Sequence, residues 1–179
     1  MDSPSPFLLA HVDLLAAAAR RGPVIDLACG EGRHALALAA HGIPVVGVDR
    51  DGASLRNLQA RARAERLPIR GLQADLEASP SLPFGPARCG ALLVFRYLHR
   101  PLCAALAASL RPGGLLLYET FTTAQRELGQ GPKNPAFLLE PGELQKLFPQ
   151  LEVLESWEGL TPGERPSALA RLLARRRDG

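Results

Sequence analysis

Short apolar runs alternate with segments of helical periodicity along most of the chain. The runs suit strands that are covered on both faces, as in a parallel sheet. Candidate strands cover residues 24–28, 43–49, 69–75, 91–95, 115–121 and 151–157. Between them, apolar residues recur three or four positions apart, which predicts helices. This alternation indicates βαβ units with right-handed crossovers, and therefore an α/β fold with an open parallel sheet.

The predicted helices cover residues 7–20, 35–39, 52–67, 100–110 and 143–148. Two segments are predicted to lack regular structure. Prolines at 80, 83 and 86 interrupt residues 76–88. Residues 122–140 are long, polar and rich in Gly, Pro and Gln, which is typical of a lid, a binding loop or a disordered segment. Ser167–Arg177 favours a helix by propensity.

Composition narrows the class of protein. A chain of 179 residues fits one domain, with residues 1–22 as an N-terminal leader and helix. The net charge of +3 is mild, and we interpret the arginines near the C-terminus as a solvated end, so no nucleic-acid partner is expected. The few, widely spaced cysteines indicate buried thiols in a reducing compartment and no metal site. The sequence shows no signal-peptide pattern and no apolar run of membrane-spanning length, so a cytoplasmic protein without membrane contact is expected.

The first candidate strand runs into a glycine turn, Gly30-x-Gly32-x-x-Ala35. Glycines let the backbone turn sharply and a ligand approach closely, and the N-terminus of a helix follows. The pattern matches a loose dinucleotide fingerprint, in which an acid at the end of the second strand, here Asp49, hydrogen-bonds a ribose. Asp49 therefore indicates a ligand that contains adenosine and leaves the rest of that ligand open.

Asp26 helps to separate the ligand classes. A carboxylate inside a buried strand is costly unless it meets a cation or hydrogen-bond donors, and a pyrophosphate beside it would be repelled. A ligand that carries a sulfonium and an ammonium would be attracted. The structural alternative is that Asp26 ties down the glycine turn through backbone amides.

Further motifs follow along the chain. In order they are Asp26–Arg33, Gly47–Asp49, Ala74–Asp75, Val94–Arg96 and Leu110–Gly114. Their order and spacing resemble those of class I S-adenosylmethionine-dependent methyltransferases, over roughly residues 20–160. Gly30–Arg33 and Tyr118–Phe121 also look like the small bacterial group related to the tellurite-resistance protein TehB.

This resemblance implies a Rossmann-like three-layer sandwich with a mostly parallel, seven-stranded sheet. Its last strand would be antiparallel, which makes Ala168–Arg176 a strand against its helical propensity. The chain departs from the family pattern at Ala28, where the family usually has its first glycine, and the extra methyl group would narrow the turn.

The resemblance also implies a set of residues that bind the cofactor S-adenosylmethionine. Asp26 and the 30–32 backbone would contact the methionine end, Asp49 the ribose hydroxyls, and Asp75 the adenine amino group. The Leu76 amide would reach a ring nitrogen, and the Phe95 carbonyl the ammonium. The complete set is Asp26, Ala28, Gly30, Gly32, Asp49, Arg50, Asp75, Leu76 and Phe95.

Residues that could act on or bind the methyl acceptor lie at the ends of the fourth and fifth strands, because ligands bind outside the carboxyl ends of parallel strands. His99, Tyr97 and Glu119 are the catalytic candidates, although a base is optional for methyl transfer. Their structural alternatives are helix capping for His99, packing for Tyr97 and a structural acid bonded to the lid for Glu119. The substrate-binding candidates are Arg96, Tyr118, Arg126, Lys133 and Asn134.

The sequence thus predicts a methyltransferase that acts on a small molecule or an oxyanion, as a monomer or homodimer. Two alternatives stay open. A nicotinamide-dependent reductase would share the glycine turn, and a non-catalytic accessory protein would bind S-adenosylmethionine without transferring its methyl group.

Overall fold

The predicted strands assemble into one sheet with helices on its faces. The computed structural model describes residues 3–178, so Met1, Asp2 and Gly179 of the predicted domain lie outside the described residues. The strands are β1 Val24–Leu27, β2 Val45–Asp49, β3 Ile69–Gln73, β4 Cys89–Phe95, β5 Leu110–Phe121, β6 Leu151–Leu160 and β7 Ala168–Arg176. Within residues 3–178 they form a seven-stranded sheet in the order β3-β2-β1-β4-β5-β7-β6. The pairs among β1 to β5 are parallel, whereas β7 is antiparallel to β5 and β6, which confirms the predicted α/β sandwich.

The helices are α1 Pro6–Leu9, α2 Val12–Ala19, α3 Arg33–Ala40, α4 Gly52–Ala64, α5 Cys103–Ser109 and α6 Glu143–Lys146. The single helix predicted for residues 7–20 is divided near His11, whose Nδ1 lies 2.8 Å from the Phe7 carbonyl oxygen. The helix predicted for residues 100–110 begins as a 3-10 turn, Arg100–Leu102, in which Pro101 lacks a backbone donor. These differences change where helices begin and end but not their order.

Strand β5 is longer than predicted. The Leu110–Gly114 motif lies inside it. Gly113 has a left-handed φ of +72° there, and the register with β4 shifts between Cys89 and Ala91. The third strand ends at Gln73 rather than at residue 75, and the sixth extends to Leu160.

Strand β7 forms although its composition favours a helix. It is inserted between β5 and β6, so its backbone is hydrogen-bonded on both sides and most of its residues are buried. Two complete hydrogen-bond ladders outweigh a weak local preference.

Strand β4 shows where the core lies. All its residues are buried, and successive side chains point to opposite faces. Leu92 and Val94 join an apolar cluster on one face, and Leu93 and Phe95 join a cluster on the other.

The burial predicted for the cysteines holds in part: Cys89 and Cys103 are buried free thiols, whereas Cys29 is a half-buried free thiol. Phe148 is buried, and Trp157 lies half-buried on β6, with its ring centroid 4.6 Å from the Arg171 guanidinium carbon. No helix within residues 3–178 combines the length and apolar character that crossing a membrane requires.

Candidate functional site

The turn after β1 holds its sharp bend with left-handed residues. Ala28, Gly30 and Gly32 have φ of +51°, +53° and +76°. A Cβ at Gly30 would meet nothing within 4 Å, whereas a Cβ at Gly32 would overlap the Leu58 side chain. Ala28 adopts a conformation that is costly for a residue with a Cβ, by roughly 1–2 kcal/mol, at the position where the family usually has glycine.

Asp26 lies beneath this turn and is almost fully buried. Its Oδ2 accepts a hydrogen bond from the Ala35 backbone N–H at 3.2 Å, near the start of α3. Burial raises the pKa of this carboxyl to about 7, against the lowering effects of that N–H and of Arg33. The bond agrees with the structural alternative for Asp26, and a positive charge nearby would lower this pKa and favour the ionised form.

Asp49 at the end of β2 connects the turn to the neighbouring strand. Its Oδ2 accepts from the Gly30 N–H at 2.7 Å, and its Oδ1 accepts from the Asp51 N–H at 2.9 Å. Each carboxylate oxygen can accept a second hydrogen bond. Asp49 can therefore fix the turn and still bind a pair of hydroxyl groups.

A cavity of about 380 Å³ opens at the carboxyl ends of β1 to β4, where ligands bind in open α/β sheets. Its lining is Ala28, Asp49, Arg50, Ala74, Asp75, Leu76, Glu77, Arg96, Tyr97, Leu98, Phe121, Pro132 and Phe137. Five of the predicted cofactor-binding residues are therefore brought together in its wall. Asp26, Gly30, Gly32 and Phe95 are not part of the lining.

Phe95 is positioned by a residue that the sequence did not single out. The His34 ring stacks on it, with centroids 3.9 Å apart and an interplanar angle of 29°. Burial lowers the pKa of His34 to about 3, so this imidazole is neutral at physiological pH.

The predicted catalytic and substrate residues near the ends of β4 and β5 separate into two groups. Arg96 and Tyr97 line the cavity, and Arg96 takes a left-handed φ of +55° that places its guanidinium carbon 6.0 Å from the Phe121 ring centroid. His99 is half-buried outside the lining, and its side chain makes no capping bond to the following turn. Tyr118 is also outside: it is buried, and its hydroxyl donates to the Tyr97 carbonyl oxygen at 2.9 Å.

Glu119 lies away from the cavity. Its Oε2 accepts hydrogen bonds from the Ser5 hydroxyl at 3.0 Å and from Arg171 Nε at 2.7 Å. This network ties the segment before α1 to β5 and β7. The position favours the structural alternative over the catalytic prediction, with Ser5 and Arg171 as partners in place of the predicted lid.

The predicted lid, residues 122–140, contains two 3-10 turns, Thr123–Leu128 and Pro135–Phe137. Pro132 and Phe137 reach the cavity. Of the predicted substrate residues, Arg126 and Lys133 line a smaller outer cavity of about 230 Å³. The Asn134 side chain instead accepts the Ala136 N–H at 3.0 Å.

Arg100 and Glu143 fasten one end of this lid, and the sequence did not predict that role. Arg100 Nε and Nη2 donate to the two Glu143 carboxylate oxygens at 2.6 and 2.8 Å. Nη1 and Nη2 donate to the Ala136 and Leu138 carbonyl oxygens, each at 2.9 Å. The guanidinium thus holds both neighbours of Phe137 at the cavity. No local pattern signals a pair so far apart in sequence.

Comparison with known proteins agrees with this architecture. A family model described as a methyltransferase domain matches residues 24–114, just over half of the chain. Ribosomal protein L11 methyltransferase from Thermus thermophilus is 35% identical over 94 residues, which cover 52% of this chain and 36% of that protein. The chain therefore spans about a third of the length of this curated relative.

Solved structures share the fold at low identity. TehB from Haemophilus influenzae has a TM-score of 0.71 and 22% identity, over 93% of this chain and 62% of that chain. The Burkholderia thailandensis 1,6-didemethyltoxoflavin-N1-methyltransferase, solved with 1,6-didemethyltoxoflavin and S-adenosylhomocysteine, has a TM-score of 0.68 and 20% identity, over 97% and 79%.

The sheet order and the antiparallel β7 are those of the class I S-adenosylmethionine-dependent methyltransferase fold. The chain belongs to the methyltransferase domain family.

Proposed function

We propose that the protein binds S-adenosylmethionine in the 380 Å³ cavity and transfers its methyl group to a small molecule held beneath the lid. The observation that carries this proposal is the pair of carboxylates, Asp49 and Asp75, at the ends of adjacent strands in one cavity wall beside the glycine turn. They suit the hydroxyl and amino donors of an adenosine.

The residues present fit this cofactor. Asp49 has acceptor capacity left for the ribose hydroxyls, and Asp75 is exposed in the cavity wall, with one oxygen accepting the Glu77 N–H at 2.9 Å. A positive charge beside Asp26 would favour its ionised form, because burial raises the pKa of this carboxyl to about 7. An ammonium and a sulfonium would supply that charge, whereas a nicotinamide dinucleotide would bring a pyrophosphate that Asp26 repels.

When bound, S-adenosylmethionine supplies a methyl group that is already electrophilic. The chain's own residues then have to align the acceptor and keep water out, an orientation effect worth up to ~7–11 kcal/mol in model reactions. Phe121, Pro132 and Phe137 form the outer wall, and Arg96 lies beside Phe121. This largely apolar wall, in a cavity of about 380 Å³, favours a small acceptor over a macromolecule.

Calorimetric titration with S-adenosylhomocysteine tests the proposal, with NADH as the competing ligand. Binding that weakens strongly in Asp49→Asn is expected, since an amide replaces one acceptor oxygen with a donor. The absence of binding to the wild type at millimolar ligand, or tighter binding of NADH, would overturn it.

A panel of small acceptors with isotopically labelled S-adenosylmethionine then tests transfer. Transfer to at least one acceptor is expected. A protein that binds the cofactor, transfers to no acceptor and co-purifies with a partner would favour the accessory role instead.

A further inference from the structure

The Tyr97 hydroxyl is a feature of the cavity that the proposed roles do not explain. Among residues 3–178, its Oη is buried and has no hydrogen-bond partner, although the residue lines the cavity. Buried phenols normally find a partner, because an unpaired polar group costs roughly 1–3 kcal/mol. The missing partner is therefore expected to come from a ligand.

The backbone holds the Tyr97 ring in place from both sides. The Tyr97 carbonyl accepts from the Tyr118 hydroxyl at 2.9 Å, and the preceding Arg96 N–H donates to the Glu119 carbonyl at 2.8 Å. Leu98, which follows, is buried in the core. The Tyr97 backbone, from which the phenol extends, is thus fixed by the folded chain before any ligand binds.

Tyr97 shares the cavity wall with Asp75, Leu76 and Glu77. In the proposed function this 75–77 segment holds the adenine. Burial raises the pKa of Tyr97 to about 12, and the nearby carboxylates of Glu77 and Asp75 raise it further. The phenol therefore stays protonated and can act as a hydrogen-bond donor at neutral pH.

A purine edge offers both kinds of hydrogen-bonding group. Its amino group is a donor that suits the Asp75 carboxylate, and its ring nitrogens are acceptors that need donors. The Leu76 amide is expected to supply one donor, and the Tyr97 hydroxyl is available as another.

We infer that the Tyr97 hydroxyl donates a hydrogen bond to a ring nitrogen of the cofactor's adenine, which makes Tyr97 a base-recognition residue. The inference rests on the proposed function. It replaces the catalytic role that the sequence suggested for Tyr97, since a protonated phenol turned towards the purine cannot remove a proton from the acceptor.

Calorimetry with S-adenosylhomocysteine and its 1-deaza, 3-deaza and 7-deaza analogues tests this directly. Each analogue replaces one ring nitrogen by C–H. The wild type is expected to lose roughly 2- to 12-fold in affinity for the analogue that lacks the contacted nitrogen, the range of one neutral hydrogen bond. Tyr97→Phe should bind S-adenosylhomocysteine more weakly than the wild type by a similar factor. It should bind that analogue as tightly as the wild type does.

Tyr118→Phe is the companion variant, because it removes a phenol hydroxyl outside the cavity lining that touches only the Tyr97 backbone, which the Arg96 N–H and the buried Leu98 still hold. It should lower the thermal midpoint and leave the ranking of the four ligands as in the wild type. Thermal denaturation establishes that Tyr97→Phe is folded before titration.

Three results would overturn the inference. Tyr97→Phe could bind all four ligands as the wild type does, or lose the same factor for each of them. It could also keep wild-type affinity while kcat falls at saturating cofactor, which is the behaviour of a catalytic residue. A wild type that binds none of the four ligands overturns the proposed function as well, so the two failures are distinguishable.

Discussion

Replacing Asp26 by asparagine should stabilise the ligand-free protein while it weakens cofactor binding. Asparagine keeps an oxygen that accepts the Ala35 N–H, now 3.2 Å from Asp26 Oδ2, but it cannot ionise. The substitution therefore isolates the charge of this buried carboxyl from its role in the turn.

The pKa of Asp26 sets the magnitude. It is 3.8 in an unperturbed chain and about 7 in the folded protein. Between these values the folded state binds the extra proton, so stability falls as the pH rises through the window. The destabilisation that the buried carboxylate causes is absent below pH 3.8 and complete above about pH 7. There it lowers the free energy of unfolding by roughly 4 kcal/mol. Asp26→Asn lacks this penalty.

Thermal denaturation of both proteins between pH 5 and pH 8.5 measures the effect. The midpoint of Asp26→Asn should exceed that of the wild type by on the order of 10 °C at the alkaline end, and the gap should shrink towards pH 5. Asp13→Asn, which removes an exposed carboxylate, is the control and should show a small, nearly constant difference. A gap for Asp26→Asn that is independent of pH, or a less stable variant at pH 8.5, refutes the reasoning.

The same residue should make S-adenosylhomocysteine binding depend on pH. Because the ligand's ammonium favours the ionised carboxylate, wild-type affinity should rise with pH up to about 7 and then level off. In Asp26→Asn the affinity should be lower and flat across this range. A wild-type affinity that does not change between pH 5.5 and 7.5 contradicts the assignment of the ammonium to Asp26.

Four further substitutions follow from the geometry. Gly30→Ala should lower the free energy of unfolding, measured by urea denaturation, by roughly 1–2 kcal/mol from backbone strain alone. Gly32→Ala should lower it further because the added methyl group overlaps a leucine side chain. Equal losses for the two variants would contradict this. Arg100→Lys should speed limited proteolysis within residues 129–138, since lysine cannot donate to both the Glu143 carboxylate and the lid carbonyl oxygens. Its affinity for S-adenosylhomocysteine should stay unchanged. An unchanged cleavage rate would contradict this prediction. Glu119→Ala should destabilise by roughly 1–3 kcal/mol because it removes the acceptor of the Ser5 and Arg171 hydrogen bonds. A loss of activity without loss of stability would restore the catalytic interpretation.

The sheet could be predicted from the sequence because its strands carry their own signal. A strand covered on both faces, such as β4 (Cys89–Phe95), must be continuously apolar. β7 (Ala168–Arg176) lacked such a signal, since an Ala-, Leu- and Arg-rich segment also suits a helix. Family resemblance supplied the correct prediction there, and the physical cause is the pairing of β7 with neighbours on both sides.

The site divides in the same way. The glycine turn and Asp49 were recognisable because a sharp turn and an acid at the end of a strand follow from local backbone geometry and a short, regular spacing from the strands. Their cooperation, a 2.7 Å bond from the Gly30 N–H to Asp49, follows from the adjacency of β1 and β2.

Contacts between residues far apart in sequence were decided only by the tertiary structure. Glu119 forms hydrogen bonds with Ser5 and Arg171, and Arg100 pairs with Glu143. These contacts form because the folded sheet brings segments that are distant in sequence next to each other. The unpaired Tyr97 hydroxyl is of the same kind, since a missing partner is visible only when every neighbour is in place. Local sequence sets the turns and strands of this protein, whereas long-range packing decides which polar side chains are already bonded and which remain available to a ligand.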